Sequence, residues 1–416
     1  MRDGEQVEVL IVGAGQAAGE LAVALRQEGH AGRILIVGEE SCLPYQRPPL
    51  SKAYLAGMID LQGLLIRPQT AYERAAIDFL LDTRVESIDR TTKQVRLADG
   101  RCIRYERLAL ATGGHARRLS LPGSDLRGIH YLRNLADVDD IRPQFRPGRK
   151  LVVIGGGYVG LEVAAVAVRA GLQVTVLETA SRVLARVTAP QLSAFYESLH
   201  RENGVRILTG IEVQGFAPGE CPVGVGEVLC KSGERIQADF VIVGIGLVPN
   251  VELAQAAGLL VDNGIVTDET GLTQDPNIVA IGDCANQPSL FYGRRLRLES
   301  VPSAVEQARC AAATLCGKPR RNDSLPWFWS DQYDLKLQMA GLSQGYERVV
   351  IRGSFELRSF AVFYLQGARI IAADVVGRPA DFMAAKRLIA ERLVVEDERL
   401  ADDSQPLKVL FANSVN

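Results

Sequence analysis

Near the amino terminus, apolar positions come in two short runs with a helical spacing between them. Val9 to Val12 leads into Gly13-Ala14-Gly15-Gln16-Ala17-Ala18, Leu21 and Leu25 follow four residues apart, and Ile34 to Val37 runs up to Glu39. Short β-branched runs beside glycine read as strands and the i, i+4 spacing as a helix, so the pattern predicts strand, turn, helix, strand. The pattern returns at Lys150 to Glu178. A run from Leu151 to Ile154 meets Gly155-x-Gly157-x-x-Gly160, Val159, Val163 and Val166 fall on one expected helical face, and Val174 to Leu177 ends at Glu178.

Between and beyond these units the periodicity changes. Residues 61 to 106 alternate short apolar runs with turn residues, and Asp99-Gly100 between two of them predicts a hairpin. Leu108 to Gly114 (LALATGG, with Thr112), Phe240 to Asn250 and Asn277 to Ala285 are apolar runs ending in small residues. A helix is expected from about Ser303 to Leu315. From about 323, strands at Leu335–Met339, Phe360–Leu365 and Arg369–Val376 precede a helix over Asp381–Arg392. The fold class is therefore α/β, with two Rossmann-like dinucleotide-binding domains and a C-terminal α+β domain.

The glycine turns carry chemistry as well as shape. Gly13 allows a tight bend, Gly15 lets the backbone approach a pyrophosphate, and the small Ala18 lets helix and strand pack closely. The free N–H groups at the helix start favour the phosphates of an ADP-containing dinucleotide. A carboxylate at the second strand's tip, Glu39 in one unit and Glu178 in the other, can accept hydrogen bonds from a ribose. Glu178 would also repel a 2′-phosphate, which points to NADH over NADPH, although Arg182 four residues on pulls the other way.

Composition narrows the field without naming a function. The chain has 416 residues, 47% hydrophobic and 23% charged, with a net charge of -2, so no global attraction to nucleic acid or anionic membrane is expected. No apolar run approaches the ~20 residues that span a bilayer, and the start, MRDGEQVEV, has no signal-like apolar stretch. A cytoplasmic protein is expected. Its seven cysteines include no C-x-x-C pair, so neither a disulfide framework nor a metal site is indicated.

ESCLPYQRPPLSKAYLAG holds Pro44, Pro48 and Pro49, which keep the segment extended and display Arg47 and Lys52, with Ser51 expected to cap a short helix. With RPPLSKAYL beside the dinucleotide fingerprint, the chain resembles the putidaredoxin reductase family of FAD-dependent NADH:ferredoxin reductases, with a glutathione-reductase-like fold, over essentially its whole length. The resemblance implies an FAD-binding domain of 1-114 and 247-322, an inserted NADH-binding domain of 115-246, and a C-terminal domain of 323-416. It implies FAD contacts from Gly13, Gly15, Ala17, Ala18, Glu39, Arg47, Lys52, Val85, Thr112, Arg133, Asp283, Val301 and Trp329. NADH would contact Gly155, Gly157, Tyr158, Gly160, Glu178, Ile245 and Gly246. Lys52 and Glu162 resemble an ion pair beside the reactive end of the flavin. Two departures stand out: Ala18 replaces a common third glycine, and Gln338 stands where a basic residue is expected.

A flavin and a nicotinamide together imply hydride transfer between them, aligned and tuned by the protein. The family's partners are acidic, and Arg294, Arg295, Arg297 and Arg309 form a candidate basic patch for transient docking of an acidic [2Fe-2S] ferredoxin. That ferredoxin would serve a cytochrome P450 or another oxygenase, and the reductase would be a monomer or weak dimer. Two alternatives remain at this level. One is an NADH oxidase or disulfide reductase, which needs a redox cysteine, with Cys42 the nearest thiol. The other is a redox-signalling flavoprotein of the apoptosis-inducing-factor type.

Overall fold

The computed structural model describes residues 5–411, and the chain divides into two compact units. The first takes the chain through Arg47, then Ile59–His115 and Leu247–Ser324; the second takes Pro48–Met58, Ala116–Gly246 and the chain from Leu325 onward.

Short β-branched runs in the first unit do become strands of one sheet. Its order is Ile77–Leu80, Ile34–Val37, Glu5–Val12, Cys102–Leu110, Gln94–Leu97, Val85–Asp89, with Ile278–Ala280 also paired to Cys102–Leu110. The pairs around Glu5–Val12 are parallel, while Gln94–Leu97 pairs antiparallel with both neighbours, making the expected hairpin at Asp99-Gly100. Both faces of the central strands are covered, which explains why their apolar runs are continuous rather than alternating. Val9, Ile11, Ile34 and Ile36 pack against Leu21 and Leu25 of the Gln16–Gln27 helix and against Ala304 and Ala308 of the Val301–Leu315 helix. Leu10, Val12, Leu35 and Val37 face Val95, Leu97 and Ile103. Leu21 and Leu25 are fully buried, each contributing roughly 1.5–3 kcal/mol. The Val301–Leu315 helix starts earlier than expected because the Ser300 side chain caps it, accepting from the Ser303 N–H.

In the second unit a fully parallel sheet runs Arg206–Thr209, Gln173–Glu178, Lys150–Ile154, Phe240–Val243, Ile129–Tyr131. The Tyr158–Arg169 helix follows the second glycine turn. Its buried side is not the expected valine stripe: Val163 is buried, but Val159, in the first turn, is 43% exposed, and Leu161, Glu162, Ala164 and Ala165 are covered instead. From Trp327 to Val376 five antiparallel strands form a separate sheet, with the Pro379–Ala390 helix against it.

These boundaries differ from those read in the sequence. Pro48–Met58 belongs with the second unit because its side chains find partners there: Ser51 and Lys52 on Glu162, and Tyr54, whose hydroxyl donates to Asp139 at 3.2 Å beneath the Arg142 guanidinium. Ser51 accordingly is no helix cap; it ends the 3-10 turn Pro48–Ser51, and its hydroxyl donates to Glu162. The C-terminal sheet likewise joins the second unit, through contacts such as Ala189 N–H to Tyr364 OH at 2.9 Å and Tyr158 against Phe328 with ring centres 5.3 Å apart. Among the described residues no helix is long and apolar enough to cross a membrane.

Candidate functional site

Three turns converge at the carboxyl ends of the parallel strands in the first unit. A Cβ on Gly13 (φ +105°) would lie 2.2 Å from the Ala111 carbonyl oxygen, so the glycine turn abuts the Ala111-Thr112 turn. A Cβ on Gly282 would lie 3.0 Å from Ala17 Cβ, which brings the Asp283 turn to the start of the Gln16–Gln27 helix. A Cβ on Gly15, in contrast, meets nothing within 4 Å, and beside it the buried Oε1 of Gln16 has no partner. An open backbone edge at a helix start with an unused acceptor fits a dinucleotide's phosphates and ribose.

The other expected residues of this unit are distributed around that edge. Glu39 is exposed at the strand tip with Arg84 at 3.5 Å. By register it stands one position beyond the place of Glu178, since Val12 pairs with Val37 and Ile154 with Leu177. Arg47 donates to Glu40 at 2.6 Å and to the Tyr45 hydroxyl at 3.0 Å. Burial opposes its charge, but Tyr45, Glu40 and Asp283 more than offset this, so its pKa lies above the ordinary guanidinium value. Val85 begins a strand and is buried. The Thr112 hydroxyl donates to the Asn250 carbonyl at 2.7 Å, and the Asn250 amide returns a bond of 2.9 Å to the Thr112 carbonyl. Val301 is the first residue of its helix.

The second unit repeats the cradle more tightly. A Cβ on Gly155 would lie 2.4 Å from the Gly244 oxygen, and one on Gly160 would lie 2.1 Å from the Gly155 oxygen. Ala18 at the corresponding place in the first turn already carries a Cβ, so only the second turn demands glycine there. Gly157 and Gly246 are open, with nothing within 4 Å of an added Cβ, while Gly244 brings Ile245 to the mouth of the turn. Glu178 accepts from the Gly156 N–H at 2.7 Å and the Ala180 N–H at 2.8 Å, which fixes its carboxylate at that mouth. Arg182 is committed elsewhere, donating to Ser193 Oγ at 2.5 Å and the Ala185 carbonyl at 3.0 Å. Tyr158 opens the helix. Arg133 also belongs to this unit; its backbone N–H donates to Asp137 at 2.7 Å, beside the Asn134–Asp137 capping box.

Within the second unit lies an ion pair that is nearly dry. Lys52 Nζ stands 2.8 Å from Glu162 Oε2, with the two side chains 17% and 3% exposed. Ser51 Oγ donates to the same oxygen at 2.6 Å and Ser330 Oγ donates to Oε1 at 2.6 Å. Burial pushes the Glu162 pKa above the usual carboxylate range, and Lys52, Ser330 and Ser51 pull against it. Removing either charge of so buried a pair costs on the order of 3–5 kcal/mol. Trp329 lies on the same strand as Ser330, 5.7 Å from Trp327 between ring centres, and pairs across the sheet with Gln338.

The arginine patch is not one face. Arg294–Leu296 is a strand, so successive side chains alternate sides. Arg295 donates to the Thr267 carbonyl at 2.6 Å. Arg297 is 11% exposed, paired with Glu299 at 2.7 Å and donating to the Asp283 carbonyl at 3.2 Å, which withdraws it from any docking surface. Arg294 and Arg295 are nonetheless exposed, and so is Arg309, with Glu306 at 2.7 Å.

Comparison with known proteins matches residues 7–308 to the pyridine nucleotide-disulphide oxidoreductase family, and residues 327–411 to a reductase C-terminal domain. The chain belongs to the pyridine nucleotide-disulphide oxidoreductase family. Within it, the chain is 52% identical to putidaredoxin reductase of Pseudomonas putida over 97% of this chain and 96% of that one. It is 44% identical to rhodocoxin reductase of Rhodococcus erythropolis, over 98% and 95%. A crystal structure of the covalent putidaredoxin reductase–putidaredoxin complex matches with a TM-score of 0.95 at 51% identity, covering 99% of each chain.

For a member of this oxidoreductase family the cysteines are quiet. All seven are free, and Cys42 is half-buried, its thiol pushed up by burial and by Glu40, against the pull of Arg47. The residues that sequence reasoning missed are polar partners of residues it found: Ser51 and Ser330 on Glu162, Glu40 and Tyr45 on Arg47, Asn250 on Thr112. Only the Tyr45 and Glu40 contacts lie close enough in sequence to have been guessed.

Proposed function

We propose that the protein is an FAD-dependent ferredoxin reductase that oxidises NADH and delivers electrons to an acidic [2Fe-2S] ferredoxin serving a cytochrome P450 or another oxygenase. The observation that carries this reading is the duplicated cradle, with an open glycine, Gly15 or Gly157, at each helix start. In the first, Gly13, Gly15, Ala17, Ala18, Glu39, Arg47, Val85, Thr112, Asp283 and Val301 would hold FAD, with Lys52, Arg133 and Trp329 also assigned to it. In the second, Gly155, Gly157, Tyr158, Gly160, Glu178, Ile245 and Gly246 would hold NADH. The fixed carboxylate of Glu178 and the engagement of Arg182 support NADH over NADPH.

Bound FAD supplies the redox chemistry, accepting a hydride from NADH and releasing electrons singly. The chain's own task is binding and electrostatics. With FAD bound, the Lys52 ammonium would offset the negative charge of the reduced flavin, and Glu162 holds that ammonium in one orientation. Arg294, Arg295 and Arg309, the exposed members of the arginine group, would steer an acidic partner. Putidaredoxin reductase, a 52% identical relative, has been crystallised in complex with putidaredoxin, a precedent for such docking. The raised Cys42 thiol disfavours the disulfide reductase reading, since a redox cysteine works as thiolate. Seven unpaired thiols suit the cytoplasm, where we place the protein as a monomer or weak dimer.

NADH-driven reduction of cytochrome c tests the reading. It is expected to depend on added ferredoxin, and Arg309→Glu should raise the ferredoxin concentration needed for half-maximal rate by about tenfold. Equal rates without ferredoxin would overturn the assignment, and an unchanged half-saturation would remove Arg309 from docking.

A further inference from the structure

Glu162 is the inner end of a file of hydrogen bonds that crosses the second unit. Ser330 Oγ lies 2.6 Å from Glu162 Oε1, and Gln332 Nε2 lies 3.2 Å from Ser330 Oγ. His200 Nε2 is 2.9 Å from Gln332 Oε1, and Tyr333 OH is 2.9 Å from His200 Nδ1. Ser330, Gln332 and His200 are fully buried, while Tyr333 is partly exposed. The Trp327–Gln332 strand supplies Ser330 and Gln332 two residues apart and therefore on one face, Tyr333 follows in the turn, and the Pro190–Glu202 helix supplies His200.

An ionised carboxylate gives this file a single direction. Glu162 can only accept, so Ser330 donates to it and must take its own incoming bond from the Gln332 amide nitrogen. Gln332 Oε1 then faces His200, which donates from Nε2–H and leaves Nδ1 to accept the Tyr333 hydroxyl. Four donors thus point the same way, toward one carboxylate oxygen, and bonds so aligned strengthen one another. With a proton on Oε1, Ser330 would accept there and its own O–H would need a new acceptor; the one along the file is Gln332 Oε1, reached by turning the amide over, which then presents its NH2 to His200 and favours the other tautomer. His200 is suited to stay neutral here, its pKa lowered to about 4 by burial.

We propose that Ser330, Gln332, His200 and Tyr333 are positioning residues that latch Glu162 in its ionised form and, through it, hold the Lys52 ammonium for hydride transfer. The clause about hydride transfer rests on the function proposed above. The groups that face Glu162 are Lys52 from Pro48–Met58 and, more remotely, the phenols of Tyr158 on its own helix and Tyr196 on the Pro190–Glu202 helix. His200 faces Tyr333, over whose ring the Arg169 guanidinium lies at 5.3 Å.

Two measurements test the latch. The first needs no flavin: nitrogen NMR of histidine-labelled protein should find His200 as the Nε2–H tautomer at neutral pH. In Glu162→Gln the amide oxygen stays with Ser51 and Lys52, its NH2 faces Ser330, and His200 should move to the Nδ1–H tautomer. The same tautomer in both proteins would overturn the latch. The second reads the acid limb of anaerobic flavin reduction by NADH. Ser330→Ala should raise the limb by ~1 pH unit, the worth of one hydrogen bond to a charge. Gln332→Leu should raise it less and the isosteric Tyr333→Phe by only a few tenths of a unit, with Ser330→Thr restoring the wild-type profile. Effects that instead follow the volume removed, or no shift in Ser330→Ala, would contradict the proposal. If the unaltered protein is not reduced by NADH, the function reading fails, and the NMR comparison still decides the latch.

Discussion

Asp374 shows how much a single buried carboxyl can set the behaviour of this protein with pH. It is 4% exposed in the C-terminal sheet and accepts a 2.5 Å bond from the Tyr364 hydroxyl. Burial, resisted by that bond, pushes its pKa up to about 7. The native state therefore holds the Asp374 proton more tightly than the unfolded chain does, so this contribution is fully present below the unfolded pKa of 3.8 and is lost as pH rises through about 7. Asp374→Asn keeps an acceptor for Tyr364 without a charge. It should stabilise the protein by on the order of 2–4 kcal/mol at about pH 8.5 and leave it unchanged only near pH 3, below both pKa values. Thermal melts at the two pH values check this, and equal shifts at both would show that Asp374 is not protonated in the fold. Burial raises the pKa of Glu162 as well, but three donors resist it there where Asp374 has one, so the two buried carboxyls differ in how far their surroundings favour the charge.

At the scale of elements, the two glycine turns separate a folding requirement from a binding one. Gly160 lies where a Cβ would press 2.1 Å from the Gly155 oxygen, and Gly157 lies where a Cβ would enter open space. Gly160→Ala should therefore lower stability by about 1–3 kcal/mol through strain between helix and turn. Gly157→Ala should melt like the wild type yet raise the NADH concentration needed for half-maximal flavin reduction by tenfold or more, because the methyl occupies the approach to the pyrophosphate. Melting curves and NADH titrations of the two variants distinguish the roles, and a destabilised Gly157→Ala would contradict the division. The strand, turn and helix around these glycines were legible in sequence because the information is local: a run, a turn and a spacing within about 30 residues. The detail of the basic patch was not legible, for an equally local reason. Composition shows arginines close together, but the alternation along Arg294–Leu296 and the acceptors waiting for Arg295 and Arg297 are facts of the folded sheet.

For the whole molecule, the chain enters each of its two units three times. Sequence patterns announced the second nucleotide fold but not the attachment of Pro48–Met58 to the second unit, because the bonds that secure it join residues far apart. Ser51 and Glu162 are separated by 111 positions, and Glu162 and Ser330 by 168. No periodicity announces such a pairing; it follows from a buried charge that must collect donors from wherever the fold brings them. The proposed activity requires both cradles to be loaded in one polypeptide. The most direct test is the visible spectrum of the purified protein during anaerobic titration with NADH. The account predicts a yellow protein carrying FAD, bleached by about one equivalent of NADH. A colourless protein that cannot be reconstituted with FAD, or a flavin that NADH leaves oxidised, would contradict it.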